Sequence, residues 1–207
     1  MLRNFLLQEA LPDKEKGTVK THVKTCHLFS RHRLPLRQAA LYYSRSLARE
    51  LGYQECRNIS YTYEGKNIRG DQAKMREAYE TLFQQAEKEL EEIDWSVYDD
   101  ILFVSKSIGT IIAASYVKKH GLVGVRQVLY TPLAETFSFA PEKGLAFIGT
   151  ADPWSTTGEI IQLARKNRLP LHVYDDCNHS LECGDTERNL EILRDVMKNT
   201  REFLVGS

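Results

Sequence analysis

The sequence predicts an α/β fold: a mostly parallel central sheet with helices on both faces. Three observations lead there. Strand-like and helix-like segments alternate along the chain, the pattern of strands joined by helical crossovers. The run DDILFVS (99–105) is short and, after its two acids, almost wholly apolar, as suits a strand buried on both faces. The run DQAKMREAYETLFQQAEKELEEIDW (71–95) repeats Met75, Tyr79, Leu82, Ala86, Leu90 and Ile93 at steps of four or three, which draws one apolar face of a helix.

The elements follow in order. TVKTHVKTCHLF (18–29) is rich in β-branched residues and reads as a strand. ALYYSRSLARELGY (40–53) reads as a helix that Gly52 is placed to end. ECRNISYTYE (55–64) is a second strand. The long helix follows, and its methionine and aromatic stripe is expected to pack the core and carry no chemistry. After DDILFVS comes IGTIIAASYVKKHG (108–121), a helix with Lys118 and Lys119 in its last turn and Gly121 beyond. VRQVLYTPL and GLAFIGTAD are strands, TTGEIIQLARKNR a helix and RLPLHVYDDCN the last strand. DTERNLEILRDVMKNTREFL closes the chain as a long helix. There is no repeat or low-complexity linker, so the 207 residues are read as one domain over 1–207.

Composition excludes several functions. With 28 basic against 28 acidic residues the formal charge is zero, and no basic block offers a footprint for nucleic acid or an anionic membrane. The apolar run in MLRNFLLQEALPDKEK is too short for a signal peptide. No stretch approaches the roughly 18 apolar residues of a membrane span. A cytoplasmic protein with a small-molecule partner is the expectation. Cys26, Cys56, Cys177 and Cys183 form no Cys-x-x-Cys pair and stand beside no histidines at zinc spacing. They are read as idle thiols of a reducing compartment, with Cys177 notable for its nearness to His179.

In parallel sheets, sites gather beyond the carboxyl ends of the strands. Ser107 stands after DDILFVS, Asp152 after GLAFIGTA and His179 after LHVYDDCN. Each separation is long enough for one strand–helix crossover. A serine hydroxyl needs a base to become a nucleophile, histidine is that base near neutral pH, and a carboxylate holds the imidazole. At the corner Ser105-Lys106-Ser107-Ile108-Gly109, small residues two before and two after Ser107 allow a tight turn, and a new helix aims its first N–H groups at any oxyanion formed there. A serine at such a corner also serves simply to turn the chain or to bind phosphate. Asp175 and Asp176 are rival acids, close to His179 in sequence.

The small-x-Ser-x-Gly corner and the order Ser, Asp, His resemble the α/β-hydrolase superfamily, with Ser105 where a first glycine usually stands. FIGTADPW resembles that superfamily's acid-bearing turn, DDCNHSLE its histidine loop, and TPLAETFSF a stretch of a small bacterial subgroup without a lid domain. The resemblance runs from about Thr18 to the C-terminus. It implies a three-layer α/β-hydrolase-type fold, Ser107, Asp152 and His179 as catalytic residues, and no metal or organic cofactor. It also implies an oxyanion hole from the N–H of Ile108 and one near Arg31 or His32. The implied activity is a carboxylesterase-like serine hydrolase cleaving a small ester or thioester through an acyl-enzyme. The alternatives are an acyltransferase, and a non-catalytic binding or regulatory protein.

The loop that should give the second oxyanion donor departs from that pattern. It reads Arg31-His32-Arg33-Leu34-Pro35-Leu36-Arg37-Gln38-Ala39, without glycine, where backbone must approach substrate. The subgroup resembles Gly-x-Gly-Tyr here, followed by Asp-Lys-Pro. The string can be encoded as CGG CAT CGG CTA CCG CTG CGA CAA GCC. Read one base later, that gives Gly-Ile-Gly-Tyr-Arg-Cys-Asp-Lys-Pro. Residues 31–39 are therefore read as a frame-shifted window; the plain alternative is a surface loop that donates an N–H without glycine. Only TPLAETFSFAPEKG separates two strands at the usual lid position, so a shallow site is expected, with Tyr130, Phe137, Phe139 and Trp154 as its apolar wall.

Resequencing the gene tests the window: codons compatible with the shifted reading are expected across 31–39, and incompatible codons end the idea.

Overall fold

In the central strand β3 (Asp100–Lys106), Leu102, Phe103 and Val104 are wholly buried. Such a strand needs helices on both sides, and both are present. The computed structural model describes residues 22–30, 39–65 and 70–206. The sheet runs β2-β1-β3-β4-β5-β6, with β1 Lys24–Ser30, β2 Glu55–Ser60, β4 Arg126–Tyr130, β5 Lys143–Gly149 and β6 Leu171–Tyr174. Every neighbouring pair is parallel. The helices are α1 Ala39–Glu50, α2 Gln72–Leu90, α3 Ile108–Lys119, α4 Thr157–Lys166 and α5 Thr186–Val205. The expected elements are all present, shortened at their ends; the part of the first strand before residue 22 lies outside the described residues. Helix α2 stops at Leu90, before Ile93 and Trp95, because Asp94 caps a separate 3₁₀ turn, Trp95–Val97, by accepting from the Ser96 N–H.

Alternation along each strand sorts side chains between two layers. Leu102, Val104, Val128, Tyr130 and Phe147 meet α1 and α5. Phe29, Ile101 and Phe103 meet α2 and α3. Leu129, Ala146 and Ile148 meet α4 and the turn Ala134–Phe139. Helix α3 is buried from Gly109 through Tyr116, so the corner that starts it is fixed by packing along its length. Chain order reverses between β1 and β3: β2 lies on one side of β1, and β3 to β6 extend on the other. The crevice at the carboxyl ends of β1 and β3 is thus the switch point where ligands enter open α/β sheets.

Two expectations about aromatic residues are corrected. Tyr130 is fully buried on the α1/α5 side. Its hydroxyl bonds Ser44 Oγ at 2.8 Å and Thr200 Oγ1 at 3.2 Å, so it ties β4 to both helices of that layer and lines no ligand wall. Phe137 is 4% exposed and packs on Leu129, Ala146, Ile148 and Ile160; it supports the edge from beneath. Strand register decided the first and the Ala134–Phe139 turn the second, and neither is visible in composition. Cys26 and Cys56 face each other in register on β1 and β2, and all four cysteines are free thiols. Among the described residues no helix is long and apolar enough to cross a membrane.

Tyr130→Phe is expected to lower unfolding free energy by about 0.5–1.5 kcal/mol, the net worth of a buried hydrogen bond, in urea denaturation. An unchanged midpoint would show that the hydroxyl does not tie the layer.

Candidate active site

Ser107 sits at φ 56°, ψ −131°, a left-handed conformation that a residue with a Cβ holds only when its surroundings impose it. The restraints are local. Its N–H donates to the Tyr130 carbonyl at 3.0 Å, and its own carbonyl accepts from the Thr110 N–H at 2.9 Å and the Thr110 hydroxyl at 2.7 Å. Thr110 is held in turn by Thr136, 2.7 Å away. The need for small flanking residues has a plain cause. A Cβ on Gly109 would stand 2.9 Å from the Phe29 carbonyl oxygen of β1 and 2.6 Å from the Tyr61 hydroxyl. Ser105 is wholly buried between β1 and β4. The strained turn lifts Ser107 out of the sheet at the start of α3, whose first N–H groups have no acceptor within the helix.

Asp152 and His179 are brought together by two loops joined edge to edge. The Ala151 N–H donates to the Cys177 carbonyl and the Thr150 N–H to the Tyr174 carbonyl, both at 2.9 Å, and the Asp176 N–H donates to Thr150 Oγ1 at 2.8 Å. Gly149 makes this possible: a Cβ there would lie 2.0 Å from the Cys177 carbonyl oxygen. Within the second loop, the Asn178 side chain accepts from the N–H groups of Ser180 and Glu182 and shapes the turn that carries His179. His179 Nδ1 then lies 2.9 and 2.8 Å from the two carboxylate oxygens of Asp152. The Asp152 side chain is fully buried and accepts a further bond from the Trp154 N–H at 2.8 Å. With a carboxylate on one side, Nδ1 carries the proton and Nε2 is the basic nitrogen. Nε2 is buried and has no hydrogen-bond partner among the described residues.

The rival acids are placed elsewhere: both are exposed, and Asp176 lies 3.7 Å from Arg188. Cys177 contributes its carbonyl rather than its thiol, which burial pushes above the usual cysteine range.

Ser107, Ile108, Trp154 and His179 line one cavity of about 770 Å³, within the size range of small-molecule sites. Trp154 lies with its ring centroid 5.8 Å from that of His179. Phe139 also lines the cavity, unlike Tyr130 and Phe137. One expectation changes here. The apolar stripe of α2 is not all core: Leu82 is buried at the base, while Met75 and Tyr79, half-buried, form a wall. The first turns of α2 form one side of the cavity, which stays partly open as expected. Arg31 and His32, with the rest of 31–38, lie outside the described residues.

One lining residue was in the motif without a role. Lys106 ends β3 immediately before Ser107 and faces the cavity. Burial holds its ammonium down to about 8, against the fields of Asp152 and Glu182, which favour the charge. The legible signal was a lone cation closing an otherwise apolar strand.

No protein-family model matches the chain, and no curated protein matches it. Solved structures do. Est1E from Butyrivibrio proteoclasticus superposes with a TM-score of 0.60 at 10% identity, over 89% of this chain and 88% of that one. The chain has the α/β-hydrolase fold. The same fold relates it to the Pyrococcus furiosus esterase Pf2001, with a TM-score of 0.57 and 12% identity over 89% and 83% of the two chains. A Xanthomonas campestris α/β serine hydrolase described as lacking a lid aligns with a TM-score of 0.52 and 16% identity, over 91% and 87%.

Gly149→Ala would press a methyl group into the Cys177 carbonyl. It is expected to cost about 1–3 kcal/mol of stability, as overpacking does, and to shift the 175–180 loop in amide NMR spectra. A variant with unchanged stability and loop shifts would show that the two loops are not held in register by this contact.

Proposed function

We propose that the chain is a serine hydrolase that cleaves an ester, thioester or related acyl substrate through an acyl-enzyme at Ser107. The observation that carries this reading is the half-used imidazole. Nδ1 of His179 is committed to a buried carboxylate, Nε2 has no hydrogen-bond partner among the described residues, Ser107 Oγ included, and His179 and Ser107 line one cavity. Buried His27 also has an unpartnered ring nitrogen, but its other nitrogen meets only the Thr25 hydroxyl; His179 differs in the carboxylate on Nδ1 and in lining a cavity with Ser107.

In the first half-reaction His179 Nε2 takes the Ser107 Oγ proton as Oγ bonds to the carbonyl carbon. The carbonyl electron pair moves to its oxygen, and the tetrahedral oxyanion accepts from the Ile108 N–H at the head of α3. A second donor is expected from the loop at Arg31 and His32. Asp152 holds the imidazole in the required tautomer and stabilises the imidazolium. When the oxyanion collapses, the bond to the alkoxy or thio leaving group breaks and His179 gives its proton to that group. Water then attacks the acyl carbon, losing its proton to Nε2. Collapse releases the carboxylic acid and returns the proton to Ser107. Atoms balance as ester plus water to acid plus alcohol. A strained Ser107 suits this role, since the strain keeps Oγ clear of the helix that follows. The carboxylesterase-like assignment rests on the cavity, large enough for a small acyl group and part-aromatic through Trp154, Phe139 and Tyr79.

Treatment with a fluorophosphonate probe is expected to label the protein covalently, with labelling lost in Ser107→Ala. Asp152→Asn is expected to reduce turnover of p-nitrophenyl butyrate by about 10⁴-fold. Labelling that persists in the folded Ser107→Ala protein removes Ser107 as nucleophile; a folded wild type that never labels favours the binding-protein alternative.

A further inference from the structure

We infer that the substrate carries an anionic group close to its scissile carbonyl and that the Lys106 ammonium binds it. This deepens the reading of the site above and rests on it.

Lys106 faces the same cavity as Ser107 and His179. It is partly buried, its backbone pairs with Tyr130 in the sheet, and no hydrogen bond or ion pair joins its ammonium to any described residue. Lys106 is only partly withdrawn from water, and even partial burial of an ammonium forfeits hydration that a partner would restore. The two carboxylates whose fields reach it do not fill that place. Asp152 has both oxygens on His179 and one also on the Trp154 N–H, and Glu182 is exposed to solvent. Of the described arginines and lysines, the other that lines the cavity is Arg76, engaged with Glu80 at 2.9 Å; the exposed carboxylate of Glu135 also lines it. The positive end of α3 opens onto the same space and favours negative charge. Burial holds the lysine pKa below its ordinary value even against the fields of Asp152 and Glu182. A carboxylate or phosphate on the substrate would supply the missing acceptor. Because Lys106 and Ser107 line one cavity, that group would sit within reach of a lysine side chain from the reacting carbon. Neutral esters would bind while leaving the ammonium unpaired.

The competing role is positioning: Lys106 could act only through the field it exerts on Asp152 and His179. Substrate pairs of equal size separate the two. 4-Methylumbelliferyl hemiadipate is compared with the hexanoate, placing the anion on the acyl side. 4-Acetoxybenzoate is compared with its methyl ester, placing it on the alcohol side. Wild type is expected to favour the anionic member of one pair in kcat/KM by about 10–100-fold, the worth of a charge-assisted hydrogen bond. Lys106→Met should erase that ratio and Lys106→Arg retain most of it, and the favoured pair tells which side of the ester carries the anion. Equal losses for both members in Lys106→Met, or no anion preference in wild type, overturn the inference while leaving the hydrolase intact. A second measurement needs no turnover. In Ser107→Ala, N-phenyladipamate and the neutral N-phenylhexanamide are titrated by tryptophan fluorescence, with and without Lys106→Met. If no ester is cleaved but the acid still binds at least about ten-fold tighter in a Lys106-dependent way, the hydrolase reading fails and the anion site stands. If no ester is cleaved and the two amides bind alike, both fail.

Discussion

The backbone passes closer than a side chain would permit at two points on the carboxyl edge of the sheet, and the rest of the site depends on those contacts. At Gly109 the first turn of α3 lies against the carbonyl of Phe29, and at Gly149 the end of β5 lies against the carbonyl of Cys177. The first contact seats α3 over the gap between β1 and β3, where the strand order reverses. The second presses the loop after β6 onto the loop after β5, so that a histidine and an aspartate from different crossovers meet. Close packing of this kind is sharply directional: a few tenths of an ångström at the backbone move a side-chain tip much further.

The local strain at Ser107 is sustained by this setting. A positive φ at a residue with a Cβ costs on the order of 1–3 kcal/mol. Here β3 is buried between two parallel neighbours, α3 is buried for its first nine residues after the cap except Ile108, and the Thr110–Thr136 pair clamps the intervening carbonyl. The corner therefore has no lower-energy geometry open to it without unpacking the sheet. The same rigidity leaves Lys106, His179 and Ser107 lining one cavity, with the Nε2 of His179 unpartnered among the described residues. Groups free to move would find partners or water; groups held by packing keep their unmet capacity for a ligand.

The strand–helix alternation, the three polar residues beyond strand ends and the small residues around Ser107 were all legible because each is a local pattern. Period-two and period-3.6 signals survive in any sequence that buries one layer against another. The errors were of a different kind. Tyr130 and Leu129 are adjacent and both apolar enough for either layer, and only the register of β4 against β3 and β5 sends Tyr130 toward α1 and α5. Phe137 turns inward because a 3₁₀ turn, not an extended loop, follows β4. Met75 and Tyr79 continue a regular apolar stripe, yet α2 overruns the sheet edge there and their half of the stripe meets the cavity.

The sequence by itself determined the parallel sheet, the crossover helices and the candidacy of Ser107, Asp152 and His179, since hydrophobic period and residue chemistry are properties of short segments. Tertiary structure alone decided which carboxylate meets His179, which aromatic residues line the cavity and that Lys106 lines it beside Ser107 and His179 with no side-chain partner among the described residues. Those outcomes depend on distances between segments far apart in the chain, and such distances are set by how layers pack, not by any local preference.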